Sequence, residues 1–450
     1  MKTGHIFRKS INTSNWRFDA SYHLSEGVEV KRIIGDSPCK LLKISDATER
    51  IFIGGRNKRI YVSSREHGIP FLSSSDILQA DLENVKLASK KYTPDLEGTK
   101  LQKGWTLISR SGTVGNCAFA TAKHAQKLAS EHVIRLVPNN ILRKGYIFAY
   151  LASKHGYSLL TQGTFGAVIQ HIEPDFIGSL PIPQMPEAFQ QEIDDLIQES
   201  ARLREAATDA LNEAISYFDN TTTVQDASNL SGISIKSISS GFRRFDAQYH
   251  LGNKVHQSII HNQSTVKIGK LAESIFIGNR DKRLYVERNG VPFLSSSDMM
   301  YANPQRWCKQ ISKKAKALST LQVQQNDILI SRSGTIGNTI IVGNIMNGYA
   351  VSEHALRLRI DYQKIEPEYV FAFLRSKVGQ HALSFLAYGS VIITLGENYV
   401  ADIDLPLLDS DTKDIIVDKI KSYSNKWDKS ITLENKAISM VEQEIEKWNK

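Results

Sequence analysis

Apolar residues along this chain fall into two patterns, and each pattern occurs twice. Beyond Glu187, the residues Phe189, Ile193, Leu196, Leu203, Ala207, Ala210 and Ala214 follow at alternating four- and three-residue steps, with Ser200 filling one position of the series. This spacing predicts a helix over 187–218 with a narrow apolar seam of the coiled-coil kind. Pro186 sits just ahead of it, where a proline is tolerated as a helix begins. A second such helix is predicted from near Thr412 towards the C-terminus. Its seam carries Ile416, Ile420, Tyr423 and Trp427, then Ile431, Ile438, Val441, Ile445 and Trp448. The shift after Trp427 marks a slip in the heptad or a wider buried face. At the rise of an α-helix each would be on the order of 45–60 Å long. Ahead of each helix the pattern changes to short β-rich stretches punctuated by Gly and Ser, at 51–62, 104–109 and 132–137, and again at 275–286, 327–331 and 354–360. An amphipathic helix is then predicted over 146–160 and over 369–385. A Gly-containing loop (163–172; 389–395) follows, and then a Pro-bearing segment at Pro181 and Pro183 or at Pro406.

The two halves match residue by residue as well as in order. The stretch 51–62 returns at 275–286, and 70–76 returns unchanged at 292–298. Residues 108–116 return at 330–338 with one conservative change. Ser130, Glu131 and His132 return as Ser352, Glu353 and His354, and 17–20 as 244–247. The offset stays between 222 and 227 residues. A whole domain has therefore been duplicated, and a short solenoid repeat is excluded. The expected organisation is a globular domain over 1–186, a long helix over 187–218, a polar surface linker over 219–241, a second globular domain over 242–408 and a second long helix over 409–450. The fold class expected is α/β (α+β). The two duplicated domains would be separated by the two long helices, paired antiparallel as a coiled coil with pseudo-two-fold symmetry. The competing reading has each helix packing back on its own domain. Duplex DNA is a partner whose backbone has the same two-fold symmetry.

Composition narrows the class without deciding it. The 450 residues suffice for two or three domains, and 41% hydrophobic with 23% charged residues is ordinary for a globular protein. No apolar run approaches a membrane span, and the N-terminus lacks a signal-peptide core. Three isolated cysteines, Cys39, Cys117 and Cys308, form neither a disulfide framework nor a zinc site, which fits a reducing cytoplasm. The net charge of +9 favours a polyanionic partner.

Several elements together resemble the specificity subunit of type I restriction–modification systems. These are Arg17 to His23 and Arg244 to His250, the Pro70 to Asp76 element and its copy, and the Ser109 to Asn116 element and its copy. The Gly loop, Pro segment and long helix follow in the family's order, and the resemblance covers nearly the whole chain. Gln190 and Ile193 are similar to the family's Gln-x-x-Ile element, whereas the second copy has Asp409, Ser410, Asp411 and Thr412 there and no matching glutamine. The resemblance implies two target-recognition domains, each reading one half of a split double-stranded DNA target. It also implies that the paired helices set the half-site separation and carry two DNA methyltransferase subunits, and that a restriction subunit can join. No cofactor is expected on this chain. S-adenosylmethionine, ATP and Mg²⁺ would act on the partner subunits.

Individual motifs carry competing readings. Arg56, Lys58 and Arg59, mirrored by Arg280, Lys282 and Arg283, form a basic cluster after a glycine that can engage phosphates or guanine edges. A solvated turn is the alternative. Ser73, Ser74 and Ser75 with Asp76, and Ser295, Ser296 and Ser297 with Asp298, are either hydroxyl donors to phosphate or a helix cap. Arg110, Ser111, Gly112 and Thr113, with Arg332, Ser333, Gly334 and Thr335, suit a DNA-backbone contact or a structural turn. They lack the Lys-Ser/Thr ending of a nucleotide-binding loop. Gln170 and Thr394 lie in the more divergent loops, where a glutamine can pair with adenine and divergence can encode different half-sites. Glu131 with His132, and Glu353 with His354, are expected to be structural. Neighbours on a strand face opposite ways, and no metal-ligand partner lies near either pair.

The chain contains no Gly-x-Gly-x-x-Gly loop, no Walker lysine and no Asn-Pro-Pro-Tyr methylation motif. A two-headed nuclease remains an alternative, faintly suggested by Pro94 to Lys100, although the Glu97-to-Lys100 spacing is wrong and the second copy lacks it. The third alternative is a scaffold whose helices hold protein partners without reading DNA.

Overall fold

The computed structural model describes residues 18–56, 58–164, 170–261 apart from 222–243, 263–306 and 308–448. Most of the linker expected over 219–241 and the start of the first Arg-Phe-Asp-Ala motif, at Arg17, lie outside the described residues. The chain divides into two compact units, residues 1–205 with 429–450 and residues 206–428.

In the first unit, strands Thr48–Ile53, Val133–Pro138, Thr106–Ser109 and Cys117–Phe119 form one antiparallel sheet in that order. Its register sets Ile51 opposite Leu136 and Ile108 opposite Ile134. These apolar side chains enter the main core. A second sheet orders Tyr61–Val62, Leu87–Ser89, Gly68–Leu72 and Leu128–Ala129, the last pair running parallel. Leu41–Lys43 pairs with the proline segment Pro181–Pro183, where a short isolated ladder tolerates the missing amide donors. The second unit repeats all three sheets strand for strand, for example Ala272–Ile277, Ala355–Ile360, Ile328–Ser331 and Thr339–Ile341. The fold is therefore mixed α/β and duplicated.

The helix predicted over 146–160 is two helices, Lys144–Ala152 and Lys154–Gln162. Ser153 breaks it: its hydroxyl accepts from the Gly156 amide at 3.1 Å. Gly156 then passes so close that a Cβ there would lie 2.1 Å from the Tyr150 carbonyl oxygen. The second copy breaks identically at Ser376, between Pro367–Arg375 and Lys377–Leu386, with Gly379 donating to the serine at 3.2 Å. The first member of each pair is buried along almost its whole length and not on one face only. Tyr146 and Tyr150 nevertheless satisfy their hydroxyls, which donate to the carbonyls of Pro183 (2.7 Å) and Pro181 (2.6 Å).

The two long helices are Glu187–Thr221 and Ser410–Glu446. In the first unit Ile193, Ile197 and Ala201 share one core with Ala437, Ile438, Val441 and Ile445. In the second, Leu211, Ala214 and Phe218 share a core with Ile416, Val417 and Ile420. Each unit thus joins an early part of one helix to a late part of the other, which is the sense of an antiparallel pair. The same cores contain the globular residues Tyr146 and Ile147 or Tyr369 and Phe371, so pairing and packing back on the domain occur together. Ile193, Leu203, Ile416 and Ile420 are buried, while Phe189, Leu196, Tyr423 and Trp427 are half-buried beside them. Polar contacts reinforce the first unit's pairing: Ser200 donates to the Ser430 carbonyl at 2.7 Å, and Arg204 meets Glu434 at 2.7 Å. The long helices also brace the globular parts. Glu205 accepts from the Ala122 amide in the first unit and Asp428 from the Asn344 amide in the second, each at 2.7 Å. Gln190 is buried, accepting from the Arg143 amide at 3.1 Å and donating to the Met185 carbonyl at 2.7 Å. In the second copy Asp409 takes a different task, accepting from the Thr412 amide at 2.9 Å at the helix start. Among the described residues, no helix is long and apolar enough to cross a membrane.

Candidate nucleic-acid interface

The basic loop after Gly54 connects the two four-stranded sheets of the first unit. Arg56 and Lys58 are exposed on it. Arg59 turns back, pairs with Glu131 and lies with its guanidinium 5.0 Å from the Phe71 ring centroid. In the second unit Arg280 and Lys282 are exposed, and Arg283 meets Glu353 at 2.8 Å and the Phe293 ring at 4.9 Å. Arg280 also approaches Glu353, at 3.8 Å. In the first unit a small cleft open to solvent lies beside this loop, with Lys58, Arg59, Thr93, Pro94 and Thr99 among its lining residues. The stretch from Pro94 to Lys100 is a single helical turn there, capped by Asp95 and with Lys100 paired to Glu97 at 2.6 Å.

Glu131 and His132 do not sit on a strand. They form the turn before Val133–Pro138, and this overturns the expectation that their side chains face apart. His132 Nε2 lies 3.5 Å from Glu131, and its Nδ1 shares a 2.7 Å hydrogen bond with the Ser111 hydroxyl. In the second copy His354 lies 3.7 Å from Glu353 and 2.8 Å from the Ser333 hydroxyl. Burial raises the affinity of Glu131 for a proton, but a backbone amide, Arg59 and His132 outweigh it and hold the carboxylate below its usual range. Glu353 is held down in the same way by its backbone amide, Arg283 and His354. Each unit therefore carries a linked set of arginine, glutamate, histidine and serine in which the neighbours favour the ionised carboxylate.

The serine-rich elements divide their labour. Asp76 accepts from the Ser73 amide (2.8 Å) and hydroxyl (2.7 Å), and its own amide donates back to Ser73 at 3.3 Å. Ser295 and Asp298 repeat the reciprocal amide bonds at 3.0 and 3.2 Å. Ser73 and Ser295 thus close the turn, whereas Ser75 and Ser297 are exposed. In the next loop Gly112 and Gly115 take φ of +77° and +84°, and Gly334 and Gly337 take +78° and +87°, conformations that glycine adopts without strain. Thr113 turns inward to the Ser109 hydroxyl at 2.9 Å, while Thr335 is exposed. Ser109 also donates to the Ser74 carbonyl at 3.4 Å, so these two loops lie together with the Arg59 set. Arg110 pairs with Glu173, but Arg332 donates instead to the Leu395 carbonyl at 3.2 Å. Gln170 is exposed, and 165–169 beside it lie outside the described residues. Thr394 is half-buried and bridges Ser333 and Tyr388 through its backbone.

Sequence reasoning missed the residue under this surface. Arg135 and Arg357 are 0% exposed. Among the described residues no carboxylate is in hydrogen-bond contact with Arg135; it donates to the carbonyls of Val133 (3.0 Å), Ser130 (3.4 Å) and Ala129 (2.5 Å). Arg357 donates likewise to Ala355 (3.0 Å), Leu321 (2.9 Å) and Val351. Burial, aided by the nearby Arg50, pulls the Arg135 pKa down to about 10, which leaves the guanidinium charged at neutral pH. Arg357 is likewise brought to about 10 by burial. Each cation lies against the glycine that begins the basic loop: a Cβ on Gly54 would be 3.2 Å from the Arg135 guanidinium, and one on Gly278 would be 3.3 Å from that of Arg357. The available signal was an arginine at the same place in both apolar strands, between Ile134 and Leu136 and between Leu356 and Leu358. Among the described residues, no group of three or more His, Cys, Asp or Glu is placed to hold a metal ion.

A family model described as "Type I restriction modification DNA specificity domain" matches the chain twice, over residues 56–216 and 262–443. No curated protein matches. Among solved structures, the chain is similar to a type I restriction–modification system S subunit from M. genitalium, at 12% identity and TM-score 0.34, covering 92% of this chain and 96% of that one. It is also similar to an HsdS subunit from Thermoanaerobacter tengcongensis, at 13% identity and TM-score 0.29, covering 91% and 96%. A structure concerned with complex assembly and conformational transition of the type I R-M system matches at 13% identity and TM-score 0.29, covering 92% and 97%.

Proposed function

The chain belongs to the family of type I restriction modification DNA specificity domains, and from that premise we propose that each of its units reads one half of a bipartite double-stranded DNA target. The two long helices then set the separation of the half-sites and dock two DNA methyltransferase subunits, and a restriction subunit can join the assembly. Methyl transfer from S-adenosylmethionine and ATP- and Mg²⁺-dependent cleavage belong to those partner chains, and no chemical step is assigned to this one.

The observation that carries the reading is the recurrence of one surface. Arg59, Glu131, His132 and Ser111 in one unit correspond to Arg283, Glu353, His354 and Ser333 in the other, each beside exposed basic residues. Arg56, Lys58 and Lys282 are exposed and can reach phosphates or base edges, as can Arg280, which stands 3.8 Å from Glu353. Ser75, Ser297 and Thr335 supply exposed hydroxyls next to glycine-loosened backbone. The buried charge of Arg135 or Arg357 adds positive potential under the loop that would meet a polyanion. Contacts made only to phosphate would position the duplex, and contacts to base edges would specify it.

The test is reconstitution of the chain with its methyltransferase subunits. Methyl transfer that requires both components and one DNA sequence supports the reading, together with a mass corresponding to two methyltransferases per chain. Nicking or methylation by the purified chain alone would favour the nuclease alternative. A complex that retains no DNA selectively would favour the scaffold.

A further inference from the structure

After Leu386 the second unit leaves its helix and runs nine residues, to Leu395, without a single charge. Tyr388 and Thr394 exchange both backbone hydrogen bonds, at 2.9 and 2.7 Å, and so close a loop over 389–393. Gly389 makes the closure possible. Its φ is +116°, and a Cβ there would lie 2.4 Å from the Ile392 carbonyl oxygen. At the tip Val391 is 92% exposed, Ile392 73% and Ile393 50%. Three adjacent β-branched apolar side chains in water contribute nothing to the core, and such a patch marks a contact surface.

The base of the loop is held firmly. Arg244, from the repeated Arg-Phe-Asp-Ala motif, donates to the Leu386 carbonyl at 2.8 Å and to that of Ala387 at 2.9 Å. The Tyr388 ring packs 5.2 Å from that of Tyr399. At the other end Thr394 bridges Ser333, and Leu395 donates to the Arg332 carbonyl at 2.9 Å. The loop therefore rises directly from the Arg332–Ser333 element of the proposed DNA surface. No carboxylate on it would oppose the approach of phosphates.

We propose that Val391 and Ile392 enter the major groove and pack on thymine 5-methyl groups, so that the half-site read by the second unit contains an A·T pair recognised through that methyl. This rests on the DNA-reading function proposed above. The thymine methyl is the apolar group that a base pair presents in the major groove. A closed loop of two antiparallel chain runs has the width of a β-ribbon, which the major groove (about 12 Å) admits and the minor groove (about 6 Å) does not. The corresponding loop of the first unit, 165–169, lies outside the described residues. Ile172 and Leu395 make the same bond, to the Arg110 and Arg332 carbonyls, and in that alignment its sequence, Phe165, Gly166, Ala167, Val168 and Ile169, keeps Val and Ile in the places of Val391 and Ile392, so the other half-site is expected to offer a thymine methyl as well.

The experiment uses the full chain in complex with its methyltransferase subunits and a duplex carrying the target found by mapping methylated bases. Each thymine of the target is replaced in turn by deoxyuridine, which removes only the methyl. One or two positions in the half-site read by the second unit should weaken binding roughly three- to fivefold, the effect of one buried methyl. That sensitivity should shrink in the Val391→Ala/Ile392→Ala variant and in the milder Val391→Thr/Ile392→Thr variant, while any sensitivity in the other half-site stays unchanged. Deoxyuridine losses that are absent from that half-site, or that persist there undiminished in both variants, would overturn the proposal. So would variants that bind DNA normally but release a methyltransferase subunit, because the tip would then be a protein contact. A fluorescent base analogue that unstacks on binding only in the presence of Ile392 would overturn groove packing in favour of a wedge between base pairs. A complex with no sequence preference would instead overturn the DNA-reading function itself.

Discussion

Arg283 reaches the carboxylate of Glu353 at 2.8 Å on the surface proposed to meet DNA, and Arg59 and Glu131 form the same pair in the other copy. A paired arginine is a restrained one. Its charge is partly neutralised until a phosphate or a guanine edge competes for it. Glu353→Gln removes the competitor and should raise affinity for unrelated DNA roughly threefold, while steepening the dependence of log K on log salt by about one. Arg283→Ala should do the reverse. Binding titrations across a salt series check both, and an unchanged slope in both variants would place this pair off the DNA.

Arg56 differs from Arg59 in being exposed with no ion pair among the described residues, whereas Arg280, also exposed, stands 3.8 Å from Glu353. Should Arg56 read guanine, Arg56→Ala weakens binding by roughly 1–3 kcal/mol and relaxes specificity in one half-site only. A phosphate contact would weaken all sequences alike and flatten the salt slope. The same distinction reaches the target itself: base-reading by the shared elements requires the two half-sites to have base pairs in common. Competition binding with half-site variants reads both effects.

Arg135 should be intolerant of replacement. Arg135→Leu removes the donors on which the carbonyls of Ala129, Ser130 and Val133 converge, leaving buried acceptors unsatisfied. A loss on the order of 3 kcal/mol is expected, and Arg135→Lys should rescue little because an ammonium cannot reproduce the fork. Urea unfolding of the three proteins tests this.

Acid should weaken the first unit through His124. This buried ring accepts from the Thr121 amide on Nδ1 at 3.2 Å and therefore carries its proton on Nε2, which donates to the Ile77 carbonyl at 3.2 Å. Burial, partly opposed by the bond to Ile77, brings its pKa to about 4. The unfolded imidazole takes up a proton near pH 6.5 that the folded one refuses until about pH 4. Stability is therefore full above the first value and declines as pH falls through the interval, by on the order of 3 kcal/mol for this group. His124→Gln should flatten that interval in urea midpoints measured from pH 7 to 4.

Much of the fold was legible because it repeats. The strands around Ile51, Ile108 and Ile134 and the seam through Ile193, Ile416 and Ile420 are periodic, and periodicity survives any tertiary context. What was not legible depends on contacts distant in sequence or on a single cap. Ser153 and Gly156 break a run of apolar residues that reads as one helix, although the recurrence of Ser and Gly at Ser376 and Gly379 was a usable sign. Glu131 and His132 looked like strand neighbours because Val133 onwards is a strand, and only the turn shows them facing each other. The site was legible as a set of motifs, but the pairing of Arg59 with Glu131 and the burial of Arg135 arise from strands brought together by the sheet.

Genome-wide mapping of methylated bases in cells carrying this chain and its methyltransferase, compared with cells lacking the chain, tests the central claim most directly. The account predicts modification within a two-part sequence whose specified halves are separated by a constant number of unspecified base pairs. Modification at one uninterrupted sequence, at halves with a variable gap, or at sites indifferent to the presence of the chain would contradict it.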